Sequence, residues 1–327
     1  MTVLPDETAE RWRFLAAVTE PLLRRKKGWR RKKDEPNASR TLVSDLDVKR
    51  SRYIYYAVLS LVVIVFTVVF VSPYYWMIIS GVKSSQEIVN PTPSVFPHHF
   101  HWGTYYHTWG DLSLGTYFKN TVIYAVGGWL IKLVVDVLFA YAISKLRPVF
   151  GKVVFGMVVA TLMLPATALV IPAFRVVADV PIFHVSLINT PWALWLPGAA
   201  DAVTIYLLKR FFDQLPDELL DAAKIDGAGR LRILWNIVLP LSRPVIAVVS
   251  ILTIIGIWKD FLWPLLVLQS SDKWSLSVAL VQMRYIATVP QNELMAALVL
   301  SSLPMYVIFL FFQKQILGGL TAGAIKG

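Results

Sequence analysis

Pro216-Asp217-Glu218-Leu219-Leu220-Asp221-Ala222-Ala223-Lys224-Ile225-Asp226-Gly227-Ala228 stands between two apolar stretches, followed by Ile237-Val238-Leu239-Pro240 and Pro244. Neighbouring membrane spans are ordinarily joined by a short turn. This connection instead reads as helix, glycine, helix. A proline and two acids open the first helix, and Gly227 is suited to the left-handed residue that ends it. Asp217, Glu218 and Asp221 lie in its first turns, where negative charge offsets the helix dipole. That account alone would leave a well-capped connecting helix with no partner. Ala222 and Ala223, however, give a low surface that another backbone can approach, and Gly227 permits a sharp turn. A second helix over 229–238 is expected to pack Leu231, Ile233, Leu234 and Ile237 back onto the spans.

Working outward, the 327 residues are 56% hydrophobic and 16% charged. A soluble domain runs nearer a quarter charged. The apolar residues come in long runs, which predicts an all-α polytopic membrane protein with no large soluble domain. A span needs about 20 apolar residues. Six transmembrane helices are expected, over 53–80, 116–144, 153–174, 191–208, 244–268 and 291–312. The fourth is the weakest, with Pro197, Gly198 and Asp201 inside it. The division that follows is a basic N-terminal tail (1–52), a six-helix domain (53–312) containing the 209–243 loop, and a C-terminal tail (313–327). No 20–50-residue repeat and no inverted repeat is evident.

Lysine and arginine set the orientation. With the N-terminus inside, 25 of the 32 basic residues fall on inner segments and 5 on outer ones, and both termini and the 209–243 loop are cytoplasmic. The first fifty residues are charged, and the first apolar run near Tyr53 lies too far in for a cleaved leader, so a retained first span is expected. The net charge of +11 is concentrated in Arg24-Arg25-Lys26-Lys27 and Arg30-Arg31-Lys32-Lys33. Basic blocks before a first span signal orientation and contact with anionic lipid, and point away from nucleic acid. Trp12, Phe14, Leu15, Val18 and Leu22 share one face over 10–23; a partly ordered tail is weighed ahead of an interfacial anchor.

The 216–240 segment resembles the EAA loop of membrane subunits of ABC importers, whose core reads Glu-Ala-Ala, then Asp-Gly-Ala, then Ile-x-Leu-Pro. Asp221 stands for the leading Glu, keeping the charge on a shorter arm. Further likeness is to the carbohydrate importers. It lies in Pro73-Tyr74-Tyr75-Trp76-Met77, the Lys83-to-Glu87 stretch, Asn120-Thr121, Ala140-Tyr141-Ala142-Ile143-Ser144-Lys145 and Trp258-Lys259-Asp260-Phe261-Leu262-Trp263-Pro264. In the last, relatives commonly show Trp-Asn-Glu-Phe, so Lys259 replaces Asn and Asp260 replaces Glu. Leu320-Thr321-Ala322-Gly323-Ala324-Ile325-Lys326-Gly327 resembles the tail of maltose-importer G-type permeases. Residues 1–50 resemble nothing in the family.

The resemblance implies a permease subunit of a bacterial or archaeal plasma (inner) membrane importer that moves a sugar or oligosaccharide by alternating access. It implies two ATPase subunits, a second permease and an extracellular solute-binding protein as partners, with membrane lipid around them. ATPase coupling would fall to Asp217, Glu218, Asp221, Ala222, Ala223, Asp226, Gly227, Ala228, Leu239 and Pro240. Leu320, Thr321, Ala322, Gly323, Lys326 and Gly327 would reach the ATPase interface. The chain carries no G-x-x-x-x-G-K-[ST] sequence, so ATP and magnesium belong to the partners, and no cofactor is expected on this chain.

Sugars are held by hydrogen bonds to hydroxyls and by stacking on aromatic faces. Trp258, Asp260 and Trp263 have that chemistry and are candidate substrate-path residues, although tryptophans in membrane proteins mostly pack and anchor. Lys132 and Asp136, four apart on one helix face, are expected to neutralise each other, while Asp201 has no obvious partner. The first outer loop, rich in Pro, His, Trp and Tyr, has the composition of chain at the headgroup level. Its His98, His99, His101 and His107 read as surface polar residues beside the binding protein rather than a zinc site. With no cysteine, no Ser/His/Asp pattern and no H-E-x-x-H, neither a catalytic constellation nor a metal site is expected. Two alternatives stay open: an ABC importer permease for another solute, such as a peptide or glycerol-phosphate, and an ion-coupled secondary carrier or channel working alone.

Overall fold

The computed structural model describes residues 49–90, 92, 94–285 and 289–324. Every named element among them is helical, and one isolated bridge pairs Val180 with Val185. The chain divides into two units, Met1–Ser72 and Pro73–Gly327. The described part of the first is one apolar helix, part of α1 (Lys49–Val82), and the expected amphipathic stretch over 10–23 lies outside the described residues.

In the second unit α2 (Ser85–Val89) and α3 (Gly103–Asp111) precede α4 (Leu114–Tyr141), which runs on as a π-helical turn, Ala142–Leu146. Then come α5 (Gly151–Thr161), a 3₁₀ turn at Ala166–Leu169, α6 (Val170–Ala178), α7 (Trp192–Trp195) and α8 (Ala202–Asp213). The 209–243 loop holds α9 (Asp217–Ile225), α10 (Arg230–Ile233), a π turn at Leu234–Val238 and α11 (Leu239–Leu241). Last are α12 (Arg243–Lys259), α13 (Leu262–Val267), α14 (Leu276–Tyr285) and α15 (Gln291–Ala324).

Among the described residues, three helices are long and apolar enough to cross a bilayer: Tyr53–Val82, Leu114–Leu146 and Gln291–Gln313. The third expected span is bent by 101° between α5 and the Ala166–Ala178 stretch formed by the 3₁₀ turn and α6, at a break ending in Pro165. The fourth is split into α7 and α8 around Pro197 and Gly198, and the fifth is interrupted at Asp260 and Phe261 between α12 and α13. Broken spans are tolerated in lipid where freed backbone groups find partners in the protein. The helix of the last span continues past 312 to Ala324. The outer loop is also more regular than its composition suggested, since it folds α2 and α3.

Helix α4 is the post on which the second unit is assembled. Its Leu114 and Ala125 join Trp258, Leu276, Met283 and Ala297 in one apolar cluster. Its Tyr124 joins Val177, Ala193, Val267 and Leu268 in another. Its Val137, Ala140 and Tyr141 pack with Leu208, Phe212, Leu220, Ile233, Leu234 and Val238 under the 209–243 loop. Small residues let neighbours close on it, as is usual between membrane helices. A Cβ on Gly127 would collide with the Trp195 ring, so the indole occupies the space a side chain would need.

Candidate functional site

The loop helix α9 is built from local signals. Pro216 precedes it, Asp217 and Glu218 fill its first turn, and Lys224 sits in its last, each charge suiting the dipole. It ends in a Schellman motif: Ala228 N–H donates to Ala223 O at 2.9 Å, and Gly227 N–H to Lys224 O at 3.0 Å. Gly227 has φ +78°, the left-handed conformation this cap demands. At the other end Asp217 is clamped by the chain following α4. Lys145 Nζ donates to its Oδ1 at 2.7 Å and to Leu215 O at 2.8 Å, and Arg147 reaches its Oδ2 at 3.0 Å. The hydrogen bond and charge of Lys145, then Arg147, hold the Asp217 carboxyl below its ordinary range. Ser144 donates to Asp213 at 2.6 Å, and Tyr141 to Arg230 O at 3.1 Å.

This anchoring gives α9 two faces. Leu220 is buried, and Ala223 and Ala228 pack against the cluster beneath. Glu218, Asp221, Ala222 and Ile225, one face at helical spacing, are exposed, Ile225 at 87%. Asp221 holds Lys224 on that surface at 2.8 Å. The two alanines expected to form one low surface therefore part company: Ala222 faces out and Ala223 in. Asp226 and Gly227 are exposed beside this face. Leu239 and Pro240 instead border an apolar groove of about 560 Å³ between α4 and the second loop helix. Ile233 and Leu234 pack inward as expected, whereas Leu231 is 65% exposed along that groove. Its direction follows from the helical register, in which Leu231 and Trp235 share the side opposite Ile233.

A second feature is a cavity of about 600 Å³ lined by α4, the 3₁₀ turn and α6, the α7–α8 break, α12 and α13. Its polar walls are Thr121, Lys132, Thr167, Thr253, Lys259, Asp260 and Ser275. Two indoles line it, each with its N–H engaged elsewhere. Trp263 donates to Ala193 O at 2.9 Å and Trp195 to Tyr124 O at 3.0 Å. The rings are thereby fixed, and what they offer the cavity is apolar surface. Of the three expected path residues, Asp260 and Trp263 line the cavity. Trp258 does not: it is 8% exposed, stacks edge-on against Phe118 at 5.6 Å and joins an apolar cluster. Two residues before Asp260 near the end of α12, it points to another side of the helix, and Trp263 stands beyond the break on α13.

Lys132 does not pair with Asp136. Its Nζ lies 3.3 Å from Asp201 Oδ2. Lysine preceding an acid by four is the weaker order on a helix, and Asp201 stands in extended backbone at the α7–α8 break, facing across to α4. Asp201 Oδ1 also caps α8, accepting from Thr204 N at 2.7 Å and Thr204 Oγ1 at 2.8 Å. Asp136, wholly buried, accepts the Asp201 N–H at 2.9 Å. Sequence spacing could pair only neighbours in one helix; Asp201, Trp195, Lys259 and the threonines of the wall carry no local signal that brings them together.

The outer-loop histidines part as well. His98 Nδ1 lies 2.9 Å from Glu87, which also accepts from Ser94 Oγ at 2.6 Å. His107 lies 3.3 Å from Asp111. Buried Lys83 donates to Ser94 O and sits 4.8 Å over the Trp76 ring. No group of three metal-ligating side chains occurs among the described residues. Lys326 and Gly327 lie outside the described residues, and Leu320, Thr321, Ala322 and Gly323 fall within the backbone of α15.

A polytopic helical bundle with a broken, partly polar interior and a rigid external helix pair defines a membrane transport subunit. The family model for the inner membrane component of binding-protein-dependent transport systems matches residues 136–320, and the chain belongs to that family. An sn-glycerol-3-phosphate transport system permease protein of Yersinia pestis is 30% identical over 76% of this chain and 89% of its own. A diacetylchitobiose uptake system permease protein of Streptomyces coelicolor is 29% identical over 80% and 86%. A melibiose/raffinose/stachyose import permease protein of Bacillus subtilis is 29% identical over 78% and 91%. In fold, the chain is similar to a bacterial ABC transporter involved in import of the acidic polysaccharide alginate. The TM-score is 0.72 at 23% identity, covering 81% of this chain and 98% of that one.

Proposed function

We propose that this chain is the permease subunit of an ATP-driven sugar or oligosaccharide importer, with six passes and both termini in the cytoplasm. The observation that carries the reading is the exposed Glu218–Asp221–Ala222–Ile225 face of α9, rigidly backed by the Asp217 clamp and the glycine cap. A helix held this firmly and left uncovered suits docking on a separate ATPase. The family supplies the rest of the assembly: a second permease, two ATPases and an extracellular binding protein.

In this reading ATP binding draws the two ATPases together and α9 moves with the one that holds it. The Lys145, Ser144 and Tyr141 contacts pass that motion to α4, whose other half walls the cavity. The binding protein releases its sugar into the opened cavity, and hydrolysis resets it. Trp263 and Trp195 would stack on sugar faces, while Asp260 accepts hydroxyl protons and Lys259 donates. Asp217, Asp226, Leu239 and Pro240 support the docking helix, and the Leu320–Gly327 tail adds a second ATPase contact.

Import of a polyol phosphate is the second reading. It is favoured by the exposed Lys259, which lines the cavity and has no ion-pair partner among the described residues, and by the likeness to an sn-glycerol-3-phosphate transport system permease protein. Uptake assays in proteoliposomes carrying the whole assembly separate the two. Competition by neutral oligosaccharides supports the first, and competition only by phosphorylated polyols the second. Uptake by the chain alone, without ATPases, contradicts both.

A further inference from the structure

Three ionisable residues meet at membrane depth where α7 and α8 are broken. Such groups are costly in a bilayer and call for a reason. Capping α8 needs only Asp201. Lys132 and Asp136 are further charges brought to the same point from α4.

Their arrangement is asymmetric. Lys132 reaches across to Asp201 at 3.3 Å. One turn along its own helix stands Asp136, whose Oδ1 holds the Asp201 N–H at 2.9 Å. The other carboxylate oxygen of Asp136 is buried and makes no hydrogen bond in the structure. A lysine four residues from an acid on one helix can reach it. Lys132 therefore has two acceptors, one across the break and one on its own helix, and uses the first.

We propose that Lys132 is a two-position latch and a positioning residue for transport. In the fastened position it pairs with Asp201 and holds the α7–α8 break against α4. In the released position it turns along α4 to Asp136, and the break moves away. The latch rests on the permease reading above, because the force that moves the break arrives through α8, which leads directly into the docking helix. It supplies what any such coupling needs, an element with two discrete arrangements that differ in contact energy. Lys132 and Trp195 both line the cavity, so the same displacement reshapes its wall.

The two acids then act in opposite directions. Asp136→Asn keeps an oxygen for the Asp201 N–H but removes the alternative charge, and favours the fastened position. Asp201→Asn keeps a capping oxygen but removes the present partner, and favours release. The chain has no cysteine, so nitroxide labels at Val134→Cys and Val203→Cys, both exposed, report the separation of α4 from α8. The measurement uses the assembled transporter in lipid nanodiscs, with and without a non-hydrolysable ATP analogue. Wild type is expected to switch between two distance populations. Asp136→Asn should hold the shorter in both conditions and Asp201→Asn the longer, each lowering uptake about tenfold.

Shifts in the same direction, or none, overturn the latch; a residue that merely stabilises the fold has no reason to yield opposite signs. Lys132→Met carries the test independently by removing the arm: it predicts a single population insensitive to nucleotide, and a shift of wild-type size overturns the proposal. Lys132→Arg, which keeps the charge, should retain both populations. Co-purification of ATPase subunits with the wild-type chain is scored separately, and its absence would refute the permease reading instead.

Discussion

The docking helix and the broken fourth span are both polar interruptions of an apolar chain, yet they are made in opposite ways. Helix α9 takes its shape from its own neighbours, a proline before it, acids in its first turn and a glycine with φ +78° after it, while Lys145 and Arg147, 72 and 70 positions away, fix only where it sits. The α7–α8 break is specified by residues 65 and 71 positions away in sequence, Asp136 on the Asp201 N–H and Tyr124 O under the Trp195 indole. The first can be read along the chain. The second exists only once α4 has packed. The lesson is that an element meant to meet another protein is built to hold its shape locally, whereas an element meant to move within this one is held by long-range ties that can be exchanged.

The strongest way to break this comparison is at the cap. A Cβ on Gly227 would meet nothing within 4 Å, so a substitution there disturbs the backbone and the docking surface rather than the core. Gly227→Asp is expected to insert normally and to reduce ATP-coupled uptake to background. Gly227→Ala, limited to about 1 kcal/mol of left-handed strain, should retain part of it. Normal uptake in Gly227→Asp would mean that α9 docks on nothing.

Next in size is the contrast between the two tryptophans flanking Asp260. Trp258→Ala empties a core site and should cost about 3–5 kcal/mol of stability, read as a lowered thermal midpoint of the solubilised assembly with substrate KM unchanged. Trp263→Ala should raise the uptake KM about fivefold, the loss of about 1 kcal/mol of stacking. A KM unchanged in both variants would remove the cavity as the substrate path.

The smallest effect concerns the clamp. Because Lys145 and Arg147 hold the Asp217 carboxyl low, its contribution is present above the unfolded carboxylate value near about 3.9. It is lost as pH falls through the lower folded value. Hydrogen-exchange protection of the first turn of α9 should therefore hold from neutral pH down to about 4 and drop below it in the wild type. Asp217→Asn should show weaker protection at neutral pH and no such step. An identical profile in both would make the clamp ornamental.

Much of the fold was legible because membrane spans announce themselves by length and hydropathy, and α9 by its caps. What the sequence left obscure has a physical pattern. Pro165, Pro197 and Asp260 interrupt spans that composition alone would draw straight, since a window of apolar residues records hydropathy and not direction. Ala222 and Ala223 look alike in sequence, and only the register of α9 over Leu220 separates outside from inside. Asp260 and Trp263 were within reach as sugar-binding chemistry. Trp258, equally suited by type, was turned into the core by the two steps of about 100° that separate it from Asp260 on the helix. Lys132 was matched to the nearest acid in sequence, although the partner it holds lies across the break.

The central claim is that α9 presents one face to a separate nucleotide-hydrolysing subunit. Single cysteines placed in this cysteine-free chain test it directly, with a bifunctional crosslinker in native membranes. Ala222→Cys and Ile225→Cys should capture an ATPase subunit with a yield that changes on adding ATP, while Leu220→Cys, on the buried face, should capture none. Equal capture from both faces, or none from Ala222→Cys and Ile225→Cys, would contradict the account.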